Sequence, residues 1–496
     1  MRSLRLLYIN LVFWILLTAP LKVLSQENTL YFMHSNPQAI HTNPALFYKC
    51  YTYIELPAIS SLRYDYGNSG FAYHDAFHYG TGSQSDSIMI DFDNLDRKMK
   101  NRNYIRNEYS VNLLGAGFRI RDYYFHFNIS NHGDSRIGLP GDLIALKDGN
   151  WDSSEEVPRN FDLGGLGVNA VDYIQIAAGV SKKIYEDISI GFTVKYLKGS
   201  AGIVNRRSRV DFITQSDPIV LDAFLNYNIY SSFPVVPFDN NRDGFTDSLS
   251  FEDSFKDPVE DFILNKNNGF ALDAGILYDY SEKILLSASI IDLGFIRWKS
   301  NINRFEAEGS FTFQGFDLLQ YTTGTDESEL FQALLDSIEN SFQFSNINGP
   351  FTSFLTPKLY LGGLYKLNKK LAFSALLRTD FFDKRPHFAL TLSANYNPVN
   401  FFSGTVSYSI MNNRLYNFGF GFSVGRPGAQ LFFVTDNIPL RYVRETNTGI
   451  IFPYSARTLN FRVGINLIFG CKELKWEGIP RAYHYIRPAK LCPAYD

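Results

Sequence analysis

Between Leu459 and Phe469 the chain alternates without a break: Leu459, Phe461, Val463, Ile465, Leu467 and Phe469 fall on one side, Asn460, Arg462, Gly464, Asn466 and Ile468 on the other. Successive side chains of a β-strand point to opposite faces, so this stretch reads as a strand with one wholly apolar face. Its length suits the roughly 9–11 tilted residues with which a strand crosses a bilayer. The pattern returns at Leu371–Arg378, Phe388–Asn395 and Phe418–Gly425, and earlier at Tyr123–Ser130, Tyr173–Ser181, Ile188–Leu197, Phe270–Tyr278 and Leu285–Leu293. Tyr360, Tyr365, Tyr396, Tyr408 and Tyr416 stand at strand ends, where a membrane barrel carries its aromatic girdles. Soluble sandwiches and propellers also alternate, but they do not explain uncharged columns of Phe and Leu. No repeat of fixed period supports a propeller.

The amino terminus carries Arg2 and Arg5, the apolar run Leu6–Leu17, then Pro20, Val23 and Ser25. This is the pattern of an export leader cut ahead of Gln26, and the run is shorter than the ~20 residues of a spanning helix. No later apolar run approaches 18 residues, which excludes a helical membrane protein. Aromatics at 16% of 496 residues argue against disorder, and 3 Cys argue against a disulfide-built scaffold. With 47 basic and 50 acidic residues, nothing suggests a nucleic-acid partner. The fold expected is therefore all-β: a transmembrane antiparallel β-barrel of roughly 14 strands in the outer membrane of a Gram-negative cell, in contact with its lipid.

Around that barrel the sequence divides into a leader (1–25), an amino-terminal segment (26–50), the barrel (51–469) and a tail (470–496) expected in the periplasm. Long insertions at 67–107, 132–170, 230–268 and 314–352 are expected on the outer face, where barrel loops are long. Within the last, Leu330, Leu334, Leu335 and Ile338 form an apolar stripe at helical spacing: a helix covering the mouth or packed in the lumen, or a lid over an apolar site. Cys471 and Cys492 flank the tail and are placed to close it with a disulfide in an oxidising compartment, in which case Cys50 stays unpaired.

The most specific ligand motif runs from Asp239 to Asp247. Asp239, Asn241, Asp243 and Asp247 fall at positions one, three, five and nine of a Ca²⁺ loop, Gly244 at the turn, and Phe245 where a carbonyl ligand belongs. Position twelve is Ser250 instead of Glu, with Glu252 or Asp253 as substitutes, so the stretch is either a structural Ca²⁺ brace or an ordinary polar turn. Gly133-Asp134-Ser135 has the letters of an esterase nucleophile block, but no partner His and acid can be located. There is no phosphate loop, CxxC or HExxH. The chain reads as non-enzymatic, with no required cofactor.

Asn43-Pro44-Ala45 precedes the first strand, and Asn before Pro favours an extended or turn conformation. With the leader and about 14 alternating strands, this tripeptide resembles the long-chain fatty-acid transporter (FadL-like) barrels. The chain also resembles barrels of Bacteroidota envelopes, including the PorV-type and PorP/SprF-type components of type IX secretion. The resemblance implies that the amino-terminal segment plugs the lumen as a hatch and that the barrel binds or passes a hydrophobic small molecule. The alternative it implies is a structural or accessory component of an envelope protein machine, with a protein partner. A transporter should keep an apolar pocket reaching the outer mouth, whereas a scaffold should have a filled lumen.

Overall fold

The computed structural model describes residues 28–79, 88–152, 157–216, 219–233, 236–238, 248–250, 263–313, 342–346, 349–382, 385–399, 401–411, 414–426, 428–438, 442–444, 451–453 and 457–471. The leader, the Asp239–Asp247 motif, the stripe Leu330–Ile338 and Cys492 with its tail lie outside these residues.

The alternating segments close into an antiparallel barrel of 14 staves. The first stave is interrupted and consists of β1 (Cys50–Glu55) and β2 (Leu62–Asn68). It is followed by β3 (Arg102–Ile120), β4 (Tyr123–Pro140), β5 (Gly167–Lys183), β6 (Ile188–Ser216), β7 (Asn268–Asp279) and β8 (Ile284–Trp298). The circuit continues through β9 (Lys358–Lys366), β10 (Leu371–Phe382), β11 (Arg385–Val399), β12 (Phe402–Met411), β13 (Arg414–Arg426), β14 (Ala429–Thr435) and β15 (Thr458–Cys471). Strand β15 pairs with β14 on one side and with β1 and β2 on the other, which closes the ring.

The seam explains the break in the first stave. Glu55 lies opposite Asn466, and Leu62 opposite Val463, so residues 56–61 bulge against a shorter partner run. The ladder is still bonded through the bulge: the Ala58 amide donates to the Asn112 carbonyl (2.7 Å), the Asn112 amide to Ser61 (3.0 Å) and the Ile465 amide to Ile59 (3.0 Å). Ala58 takes a left-handed backbone (φ 59°) to make the turn.

Outside, Phe192, Val194, Phe270, Leu272, Leu293, Leu392 and Val406 form exposed apolar columns. Inside, the alternate positions are polar: Asn128, Ser130, Thr193, Ser289, Thr391, Ser407 and Asn466 are buried. Apolar out and polar in is the pattern of a barrel immersed in lipid. Among the described residues no helix is long and apolar enough to span a membrane.

One end of the barrel has short turns, as between Ile120 and Tyr123. The other has long connections and strands that overrun any lipid band. Strand β6 has 29 residues, several times the number that crosses a bilayer, and its far half pairs with the additional strand Ile219–Ser232, which in turn pairs with Ile302–Phe313. The insertion expected at 132–170 is correspondingly shorter, because β4 runs to Pro140 and β5 begins at Gly167. Alternation of apolar and polar residues fades there because neither face meets lipid, yet the ladder continues.

The expected Cys471–Cys492 disulfide is corrected: Cys471 is bonded to Cys50. The two are opposite one another in the β1–β15 register, with Cα atoms 4.0 Å apart, so the bond fastens the first stave to the last at the short-turn rim. Unreduced peptide mapping should recover Cys50 linked to Cys471, and Cys471→Ser should cost about 2–4 kcal/mol of stability. A Cys471–Cys492 peptide would contradict the seam. Val406→Arg should cost about 2–4 kcal/mol of insertion, read as loss of the heat-modifiable folded band in vesicles; unimpaired folding would mean that this column does not face lipid.

Candidate functional site

Residues 28–49 enter the barrel instead of lying across its end. Leu30, Tyr31, Phe32, Met33, Ile40 and Tyr48 are buried, and Tyr31 stacks on Tyr360 of the wall (ring centroids 5.2 Å). Its polar groups bond to the inward polar columns. The Gln38 side chain donates to Glu55 (2.8 Å) and Asn466 (2.6 Å), and Asn466 donates back to the Gln38 side-chain oxygen (3.0 Å). Ser289 donates to the Thr42 carbonyl (2.7 Å), and Ser181 to the Pro44 carbonyl (2.5 Å).

The tripeptide Asn43-Pro44-Ala45 sits within this contact. The Asn43 side-chain oxygen accepts from the Ala45 amide (3.0 Å), and its nitrogen donates to the Tyr31 hydroxyl (3.1 Å). The wall makes room with glycine: a Cβ on Gly191 would stand 2.0 Å from the Pro44 carbonyl oxygen, and one on Gly275 2.1 Å from Asn43 Oδ1. Any larger residue at either inward position would push the segment off its seat.

Above this floor the lumen is pinched by charge. Arg106 on the second stave reaches Asp380 on the ninth (3.4 Å), diametrically across the ring, and also pairs with Glu108 and Asp134. Asp380 is held from its own side by Arg378 (2.7 Å). Arg136 bonds Asp134 (2.7 Å) and Thr356 (2.5 Å) and lies over the Phe382 ring (4.8 Å). A second group of charges joins Lys195 to Asp273 (2.7 Å) and Asp292 (2.6 Å), and Lys358 to Asp292 (2.7 Å). Opposite walls thus touch, and the lumen is divided in two.

On the side of staves ten to thirteen the space is taken by residues 28–35, through Thr29 on Ser407 (2.6 Å) and Ser35 on Ser403 (2.5 Å). Beside the pinch a cavity of about 1000 Å³ is left, lined by staves two to nine together with Arg63 of the first stave and Arg462 of the last. Its floor is Ile40, His41 and Thr42, and its walls rise to Arg102, Gly138, Gly167 and Arg206 at the long-connection end. One wall is apolar: Val171, Tyr173, Val204 and Leu355 belong to a cluster built on Trp298 and Phe351. The facing wall presents Arg63, Lys358, Arg378 and Arg462.

Outside the spanning strands, Asp75 tethers the first long connection. Burial pushes its carboxyl up, but the Ala72 amide, His74 and Arg457 outweigh it and hold it below the usual carboxylate range. Arg457 reaches it at 3.2 Å, tying this connection to the start of β15.

Sequence reading brings Asn43, Pro44 and Ala45 forward but not the charges of the pinch. Asp134, singled out only through Gly133-Asp134-Ser135, is a partner of Arg136 on β4. The available signal is a charged residue at an inward position of an alternating strand, as Arg378 and Arg462 are. Among the described residues no group of His, Cys, Asp and Glu could hold a metal ion.

Fold and site together define a transmembrane β-barrel whose own amino-terminal segment occupies the lumen beneath an open vestibule. The chain belongs to the Family of unknown function (DUF5723), whose profile matches residues 44–436. No curated protein matches it. Among solved structures it is similar to the Ralstonia pickettii toluene transporter TbuX, with 9% identity, 87% of this chain and 94% of that one covered, and a TM-score of 0.37. A Pseudomonas aeruginosa FadL homologue has 11% identity, 92% and 100% covered, and a TM-score of 0.37. The CymD monoaromatic hydrocarbon channel has 10% identity, 87% and 92% covered, and a TM-score of 0.40.

Asp380→Ala would leave Arg106 and Arg378 buried without their shared carboxylate, and should destabilise the barrel by about 3–5 kcal/mol. Adding Arg106→Met should recover part of the loss in a thermal unfolding series. Additive losses would mean that the two walls are not coupled.

Proposed function

We propose that this chain is an outer-membrane barrel, long connections outward, that takes in a small amphipathic molecule through the vestibule. The observation that carries this reading is the cavity of about 1000 Å³, with an apolar wall facing a basic one. A pocket of this volume suits a single small ligand. Val171, Tyr173, Val204 and Leu355 would take its apolar body.

The ionic wall favours an anionic group. Eight Arg and Lys line the cavity against four Asp and Glu; behind them stand two more carboxylates, Asp65 and Asp380, and one more cation, Arg106. Nine positive charges against six negative leave an excess of three in a space where water is confined and charge acts strongly. A pure hydrocarbon would leave this wall unsatisfied; an ion without an apolar part would gain nothing from the other. Residues 28–49 close the short-turn end, so a bound molecule leaves in that direction only if the segment shifts.

The test is a series with one apolar body: 4-phenylbutyrate, 4-phenylbutanol and 4-phenylbutylamine, titrated calorimetrically into the detergent-solubilised barrel. The carboxylate should bind at least about tenfold tighter than the amine. Lys358→Met should lower carboxylate affinity about tenfold and leave the alcohol unchanged. Equal binding of amine and carboxylate, or binding of none of the three, would overturn the reading.

A further inference from the structure

On the inner face of the closing seam two arginines stand directly opposite one another. Arg63 of β2 and Arg462 of β15 are partners in the ladder, and both line the vestibule. The Arg63 side chain is 12% exposed and Arg462 6%. Residues paired in this way hold their Cβ atoms about 4.5–5.5 Å apart, and like charges so placed repel. The lumen confines the water that would dilute that repulsion.

The carboxylates nearby are divided among several cations. Glu108 serves both Arg63 and Arg106, and Asp380 serves Arg106 and Arg378. Asp292 serves Lys195 and Lys358. Asp65 adds a bond to Arg63 (2.5 Å). Asp436 shares a narrow gap with Arg462, but it also accepts the amides of Asn28 (3.0 Å) and Thr29 (2.6 Å). Lys358 lies near enough to Arg63 and Arg378 to feel both charges. The seam side of the vestibule is therefore a group of cations whose countercharges are shared.

The shape of this group selects an anion. A carboxylate has two oxygens, and one guanidinium fork satisfies both. Two forks from facing strands, with an ammonium beside them, call for a third oxygen and a second charge. A phosphate monoester supplies three acceptor oxygens and a charge of roughly −1.5 to −2 at neutral pH. Resting on the reading of the vestibule as a site for an amphipathic anion, we propose that its ligand is a phosphate monoester whose head group binds across the seam between Arg63 and Arg462, with Lys358 at its side. The apolar body lies toward Val171, Tyr173 and Leu355. The vestibule opens at the long-connection end, so the ligand arrives from water and is not the head group of a bilayer lipid. Once bound, the phosphate turns repulsion across the join into attraction, and occupancy strengthens the seam.

The test titrates the detergent-solubilised full chain with 4-phenylbutyl phosphate, its methyl ester 4-phenylbutyl methyl phosphate, and 4-phenylbutyrate at about pH 8. The monoester should bind at least about tenfold tighter than either monoanion, and Arg462→Gln should bring it to within about threefold of its methyl ester. In the unaltered protein the monoester should slow amide exchange in Leu62–Asn68 and Thr458–Val463 at least about tenfold more than in β12. In nanodiscs, phosphatidic acid should weaken monoester binding no more than phosphatidylglycerol of equal charge does; a larger loss would overturn the water-borne source. Binding of 4-phenylbutyrate with no advantage for the monoester, or slowing that spares the seam, would overturn the proposal and leave the broader reading of the vestibule standing. Failure of all three to bind would bring down both.

Discussion

In hydrocarbon no water completes the hydrogen bonds of a strand, so every edge must find another edge. This constraint organises the molecule. It requires the last strand to meet the first, and β15 does so by pairing with both halves of an interrupted stave. The bulge at residues 56–61 absorbs the difference in length while backbone bonds to Asn112 and Ile465 keep it joined to both neighbouring strands. The Cys50–Cys471 bond then fixes the join covalently at the rim where both strands end.

Closure creates a second problem, which is the interior. A ring of 14 staves encloses more space than its own side chains fill, and the alternation that puts Phe and Leu into lipid puts Ser, Thr, Asn and charge inside. The chain settles this in two ways. Its amino-terminal segment brings donors and acceptors matched to the inward columns, with Gly191 and Gly275 hollowing the wall where the backbones meet. Ion pairs then draw opposite walls together at Arg106 and Asp380. What remains open is the vestibule, and its mixed lining follows from what the segment and the pinch leave uncovered.

How much of this is legible in the sequence depends on distance. The lipid-facing columns announce themselves because the contrast between Phe461 and Arg462 is local and repeats every second residue. The interior does not, since its partners lie far apart: Arg106 and Asp380 are 274 residues apart, and Asn28 and Asp436 are 408. Alternation shows that Arg378 points inward but not what it meets. The disulfide escapes sequence reading for the same reason. Cys492 is near Cys471 along the chain, whereas Cys50 is near it across a ladder that only closure brings into being. The long upper strands read as loops because sequence alternation reports lipid, and strands above the lipid lose it.

The central claim is that residues 28–49 are an integral layer of the folded barrel. Hydrogen exchange followed by mass spectrometry on the folded protein tests it directly. Amides of Leu30–Tyr48 should exchange as slowly as those of the spanning strands β12 and β13, and together with them as the barrel is destabilised. Exchange of that segment at the rate of the long connections, while the strands remain protected, would contradict the account.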